Sequence, residues 1–379
     1  MTEASGSIGL GMRARTALVA LVALLLAGLT AASVAQALPA KFWGAVPQSS
    51  LGFEQYQRVH RGGVDSTRLP ISWPVVQSSE NGAYDWSATD SQIAAASRAG
   101  IDVLPFLVGV PAWAERLISV GGGVQVPARL PVKGTARAGW IAFCQAAVAR
   151  YGPNGSFWSE NPDIPPRPLR IWQIWNEPNF KFFVHRPNPP EYGQMVKISS
   201  NAIKAVDPRA KVILAGLFAW PKGGNAKTGN HNWFASDFLE ALYRGVPGIA
   251  ARFDGVAVHP YSTRYQLLTP QIEEVRAVMR KRDDARTGIW ITELGWSSEP
   301  RTAGNSFAKG VNGQVAQLKG AFRLLVKNQR RWRLQRLFWF SIDDHGAACN
   351  FCNGSGLFGD GFTPKKSWFA YVRFAGGTP

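Results

Sequence analysis

Eight short apolar runs, rich in β-branched and aromatic residues, recur along the chain at 42–46, 64–70, 101–108, 169–176, 212–217, 253–259, 288–294 and 336–342. Each is continuous rather than alternating, as expected of strands covered on both faces in a parallel sheet. Between them, apolar residues follow helical spacing. Trp140, Phe143, Cys144, Ala147, Val148 and Tyr151 recur at i, i+3, i+4, i+7, and so do Tyr192, Met195, Val196, Ser199, Ala202, Ile203 and Val206. Val315, Leu318, Phe322, Leu325 and Val326 make a third such stripe. Gly62-Gly63, Gly100 and Asp207-Pro208 end helices just ahead of the next run. Eight strand-then-helix units predict an α/β fold, a (β/α)8 TIM barrel, which needs roughly 250 residues and accepts loop insertions. Segments 121–134 and 152–168 read as such insertions. A doubly wound open sheet is disfavoured, because no G-x-G-x-x-G turn follows an early strand.

The N-terminus has a different pattern. Arg13 and Arg15 precede the apolar run 16–29, and small residues continue to Ala35-Gln36-Ala37, the A-x-A form of a signal-peptidase site. Residues 1–37 are therefore expected to be a signal peptide, with an uncleaved anchor as the alternative, since 17–35 is just long enough to cross a bilayer. Residues 38–379 form one expected domain. Localisation is then secreted or at the cell envelope.

The chain has 379 residues, 46% of them hydrophobic, and a net charge of +17 from 42 Lys and Arg against 25 Asp and Glu. Removal of 1–37 leaves the charge at about +16, so the basic balance belongs to the barrel. It admits an anionic or envelope-associated partner. Its densest run, 327–336, falls on the outer ring, and no recognisable nucleic-acid module accompanies it. Contact with a membrane is expected only through an uncleaved N-terminal segment.

Three cysteines exclude a disulfide-dense scaffold. Cys144 lies on a helical apolar stripe and reads as core. Cys349-x-x-Cys352, near His345, reads as a local disulfide, with free thiols as the alternative; a zinc site would need further ligands. The five His lack H-E-x-x-H spacing, and no metal or other cofactor is expected.

The chemistry concentrates at two strand ends. IWQIWNEPN, residues 171–179, places Asn176 and Glu177 at the end of the fourth run, and IWITELGWS, residues 289–297, places Glu293 at the end of the seventh. Carboxylates at the C-terminal ends of barrel strands lie where barrel active sites form. Two in one mouth are what glycoside hydrolysis requires, one to protonate the leaving oxygen and one to attack or to activate water.

In these motifs and their order the chain resembles a clan A glycoside hydrolase, nearest to families 5 and 39, over nearly the whole of 38–379. The resemblance implies Glu177 as acid/base, with Asn176 beside it contacting the sugar 2-hydroxyl, and Glu293 as the nucleophile of a retaining double displacement on a β-linked poly- or oligosaccharide. It also implies that Arg68, in STRLPISW, holds the nucleophile, that in VAVHPY His259 is a polar residue of the site and Tyr261 contacts the nucleophile, and that Trp339, in LFWFSIDD, floors the site. Trp43, Trp113 and Trp296, near strand ends one, three and seven, are candidate sugar platforms, with core packing as the rival reading. Trp175 is expected to point away from Asn176. Two neighbouring carboxyls cannot both ionise easily, and Arg68 beside Glu293 leaves Glu177 as the protonated member. A catalytically inactive carbohydrate-binding barrel is the alternative, disfavoured because both Glu are present.

Overall fold

In the computed structural model, which describes residues 1–2, 38–219, 232–302, 304–344 and 352–379, the eight apolar runs are eight parallel strands. These are β1 (Trp43–Val46), β2 (Ser66–Ser72), β3 (Asp102–Val108), β4 (Ile171–Ile174), β5 (Lys211–Phe218), β6 (Gly255–His259), β7 (Gly288–Ile291) and β8 (Leu334–Phe340). Each hydrogen-bonds to the next, and β8 returns to β1, with Trp43 to Val46 in register with Leu337 to Phe340. A helix follows every strand. They are α1 (Phe53–Arg61), α2 (Ser87–Arg98), α3 (Gly134–Tyr151), α4 (Pro189–Val206), α5 (Ala235–Gly245), α6 (Leu268–Lys281), α7 (Gly310–Lys327) and α8 (Lys366–Ala375). This is a closed (β/α)8 barrel, and Pro39–Pro379 is one compact unit.

The continuous apolar runs have the expected cause. One strand face fills the barrel with Val46, Leu104, Ile213, Ala257, Trp290 and Phe338. The other meets the helices, whose stripes Trp140, Phe143 and Cys144 on α3 and Leu318, Phe322 and Leu325 on α7 are buried. Each such large side chain contributes roughly 1.5 to 3 kcal/mol. The insertions carry a hairpin, Leu117–Ser119 with Gln125–Pro127, and a short helix, Ser156–Glu160.

The two strands that carry the glutamates stop short of their apolar runs. β4 ends at Ile174 and β7 at Ile291, because the residues that follow leave the ladder and turn into the mouth. The export reading of 1–37 falls almost wholly outside the described residues. Cys144 is a buried free thiol and Cys352 is disulfide-bonded, while Cys349 and His345 lie outside the described residues. Among the described residues, no helix is long and apolar enough to cross a membrane.

Candidate active site

The mouth is organised around one buried cation. Arg68, on β2, is 1% exposed. Its Nε–H donates to Gln173 Oε1 at 2.6 Å, its Nη1–H to Glu293 Oε1 at 2.6 Å and its Nη2–H to Asn176 Oδ1 at 2.7 Å. Its guanidinium lies 3.9 Å from the centre of the Phe106 ring. Burial works against the charge of Arg68, and the Glu293 carboxylate supports it. A guanidinium in this setting fixes three acceptors from β4 and the β4 and β7 ends at once.

Glu177 reaches the mouth through a break in strand geometry. A regular strand would send Asn176 and Glu177 to opposite faces. Trp175 (φ 74°) and Glu177 (φ 41°) instead adopt left-handed backbone, which costs about 1 to 3 kcal/mol per residue and clusters at functional sites. Asn176 thus faces Arg68 while Glu177 faces His259. Trp175 points outward, as expected, its ring 6.0 Å from that of Trp140 on α3. Tyr192 of α4 braces the turn, its hydroxyl donating to the Ile174 carbonyl and accepting from the Ala215 amide.

His259 Nδ1 lies 2.6 Å from Glu177 Oε1 and 3.5 Å from Glu293 Oε2. Its ring fits only because residue 216, on the neighbouring strand, is glycine: a Cβ there would sit 1.9 Å from Nε2. Burial, then the charge of Arg68, hold the imidazole well below its ordinary pKa, so it is neutral. The surrounding bonds select its tautomer. Gln173 Nε2 donates to Thr292 Oγ1 at 3.3 Å, and among the described residues the one acceptor bonded to the Thr292 hydroxyl is His259 Nε2 at 2.9 Å. Nε2 therefore accepts, and Nδ1–H donates to Glu177 Oε1. This leaves Glu177 Oε2 to carry a proton.

Tyr261 donates its hydroxyl to Glu293 Oε2 at 2.9 Å. Burial and the two carboxylates raise its pKa well above 10, so the donor proton stays. The carboxyls themselves are displaced unequally. Burial and then the charge of Glu293 push Glu177 well above the ordinary carboxylate value. Burial raises Glu293 too, but Arg68 and the Tyr261 hydroxyl oppose it. One oxygen of each carboxyl lies, with His259, inside a 4.8 Å cluster. That spacing would also suit a small cation, but both Glu293 oxygens and both His259 nitrogens already hold hydrogen bonds within the protein.

Arg68, Asn176, Glu177, His259, Tyr261 and Glu293 are thus brought together. Four aromatic expectations fare differently. Trp339 does not floor the mouth: it is fully buried on the outer face of β8, 6.0 Å from Phe322 and 6.2 Å from Trp296, with its N–H on the Ser355 carbonyl. Strand alternation gives the inner face to Phe338 and Phe340, and Phe340 sits edge-on to Tyr261 at 6.4 Å. Trp296 is also fully buried, its N–H donating to the Ser262 carbonyl at 2.7 Å. Trp43 starts β1, away from the mouth, and packs on Phe322 at 4.9 Å. Trp113 is half-buried in the loop after β3, edge-on to Trp73 and bonded to the Gln77 carbonyl.

Residues 173–369, just over half the chain and spanning both carboxyls, match the family model described as "Glycosyl hydrolase catalytic core". The chain belongs to this family. As a glycosyl hydrolase it shares its fold with a family 39 glycoside hydrolase from the gut symbiont Bacteroides cellulosilyticus WH2, at 18% identity and a TM-score of 0.62, over 89% of this chain and 64% of that one. A GH5_18 from Bifidobacterium longum subsp. infantis is similar at 15% identity and a TM-score of 0.60, over 90% and 79%. In sequence, the glycosyl hydrolase is 29% identical over 153 residues to a β-xylosidase of Geobacillus stearothermophilus, a match covering 35% of this chain and 27% of the relative.

Proposed function

We propose that the protein is an exported, retaining glycoside hydrolase that cleaves a β-linked oligo- or polysaccharide, with Glu177 as acid/base and Glu293 as nucleophile. The observation that carries this is the pair of carboxyls within 4.8 Å, one held by Arg68 and Tyr261 and the other left as the weaker acid. Inverting enzymes keep their carboxyls about 6.5 to 9.5 Å apart to admit a water, whereas retaining ones use about 5 to 5.5 Å.

In the first step a Glu293 oxygen bonds to the anomeric carbon as the glycosidic C–O bond breaks, and the proton on Glu177 Oε2 passes to the leaving oxygen. In the second, Glu177, now a carboxylate, takes a proton from water. The water oxygen bonds to the anomeric carbon and releases Glu293. Asn176, its Oδ1 held by Arg68, has its amide N–H groups to offer a sugar hydroxyl. The loss of charge on Glu293 in the first step removes the repulsion that kept Glu177 protonated, which suits Glu177 to act next as base. The β-xylosidase relative makes xylosides the first substrates to try.

The test is a panel of aryl β-glycosides and β-glycans, with the anomeric form of the first product read by NMR. Release of β-configured sugar by the wild type, lost in Glu177→Ala, is expected. First-formed α product, or equal release by the variant, would overturn the reading.

A further inference from the structure

The outer wall between α7 and α8 bears a groove of about 460 Å³ that shares no residue with the mouth. Its floor is Ala316 and Ala370, its apolar sides are Val315 and Phe369, and Lys319, Lys366 and Arg373 line it with charge. On each helix the lining positions are spaced i, i+3, i+4, i+7 (312, 315, 316, 319 and 366, 369, 370, 373), so each helix turns one continuous stripe to the groove. Lys366 Nζ donates to Asn312 Oδ1 at 3.3 Å and ties the two N-terminal ends together. Lys319 and Arg373 lie two turns further, about 10 Å along. Phe369 is 44% exposed and Val311, on the first turn of α7, is 46% exposed.

The charge of this wall is uncompensated. Neither α7 nor α8 contains an Asp or Glu. Residues 301–379 hold twelve Lys and Arg against three Asp and no Glu. Two of those Asp are engaged elsewhere: Asp343 by Gln48 and Ser49 at the end of β8, and Asp344 by Lys365. Among the described residues, no carboxylate pairs with Lys319, Arg323, Lys366 or Arg373.

Cations fixed on two rigid helices around a narrow groove with an exposed ring suit a polymer that alternates apolar ring faces with anionic groups. An anionic lipid surface would call for a broad apolar face to insert, and among the described residues of α7 and α8 the large apolar side chains exposed are Phe369 and Val311. We propose that the α7–α8 groove is a non-catalytic docking site for a carboxylate-bearing polysaccharide, which lies along the barrel wall with its uronate groups on Lys319, Lys366 and Arg373 and a sugar ring on Phe369. This goes beyond the hydrolytic reading of the mouth, and its test needs no turnover.

Binding of the protein to polygalacturonate is measured at 50 and 200 mM salt, beside a neutral β-glucan, anionic phospholipid vesicles and duplex DNA. Binding to polygalacturonate over the other three is expected. The triple substitution Lys319→Ala, Lys366→Ala, Arg373→Ala should weaken it at least about tenfold and flatten the slope of log affinity against log salt by about 2 to 3. Phe369→Ala should weaken it with the slope unchanged. Melting temperature and hydrolysis of a small aryl glycoside should stay as in the wild type for both variants. Wild-type binding by the triple variant, tighter binding to vesicles or DNA, or no binding at 50 mM salt would each overturn the proposal.

Discussion

Glu177 and Glu293 sit in one barrel mouth, both nearly withdrawn from water, and their neighbours differ. The end of β7 delivers Glu293 to a guanidinium and a phenol, two donors that favour the charged form. The end of β4 delivers Glu177 to a neutral imidazole, with Arg68 acting on it only through space. Desolvation raises both, and the partners decide which carboxyl ionises first. The division of labour in the proposed mechanism is therefore built by Arg68, whose position on β2 is nearer in bonds to one Glu than to the other.

The largest effect should come from removing the ionised member. Glu293→Gln is expected to lower kcat by at least about 10⁴-fold, since no other group can form the glycosyl ester. It should also destabilise the fold by about 3 to 5 kcal/mol, because a buried guanidinium loses its counter-charge. Activity and thermal unfolding measure the two effects.

Glu177→Gln should cost about 10² to 10⁴ in kcat, and less for substrates with good leaving groups. Its effect on stability should have the opposite sign. The folded pKa of Glu177 is raised, so the native state holds its proton more tightly than the unfolded chain does. Wild-type stability then declines as pH rises from the ordinary carboxylate value of 4.5 through the raised one. Glu177→Gln escapes that decline, and its melting temperature should overtake that of the wild type towards neutral pH. A variant that melts lower than the wild type at every pH would break the contrast between the two carboxyls.

Arg68→Ala removes the source of the asymmetry. Glu293 then keeps its burial and loses its main opposing charge, so the acidic limb of kcat/KM should move to higher pH, with a stability loss of about 3 to 5 kcal/mol. An unmoved limb would show that Arg68 does not set the ionisation of Glu293. The smallest effect is expected at Thr292→Val. Without its hydroxyl, His259 Nε2 can carry the proton, and Nδ1 can then accept from protonated Glu177. The loss in kcat should be about threefold to tenfold, near that of one neutral hydrogen bond, and the basic limb should move up in pH.

The barrel was legible because each strand is one continuous apolar run and each helix one stripe. The catalytic candidates were legible because polar residues at strand ends stand out against those runs. Gln173 and Thr292 escaped notice because they lie inside or beside apolar stretches. The available signal was that a polar side chain in a doubly covered strand needs a buried partner. The reading of Trp339 failed for a matching reason: composition does not say which face of a strand looks inward. A shift of one residue separates Trp339, behind the wall, from Phe340, in front of it. Nor did the sequence of β4 announce the left-handed turn that sets Asn176 and Glu177 side by side.

The central claim is that Glu293, ionised beside Arg68, is the group that bonds to the sugar. Incubation with an activated 2-deoxy-2-fluoro β-glycoside of a sugar the enzyme hydrolyses, followed by peptide mass spectrometry, tests it directly. The account predicts one fluoroglycosyl adduct per chain, on Glu293 in the peptide containing ITELGW, formed by the wild type and absent from Glu293→Gln. An adduct on Glu177 or on any other residue would contradict it.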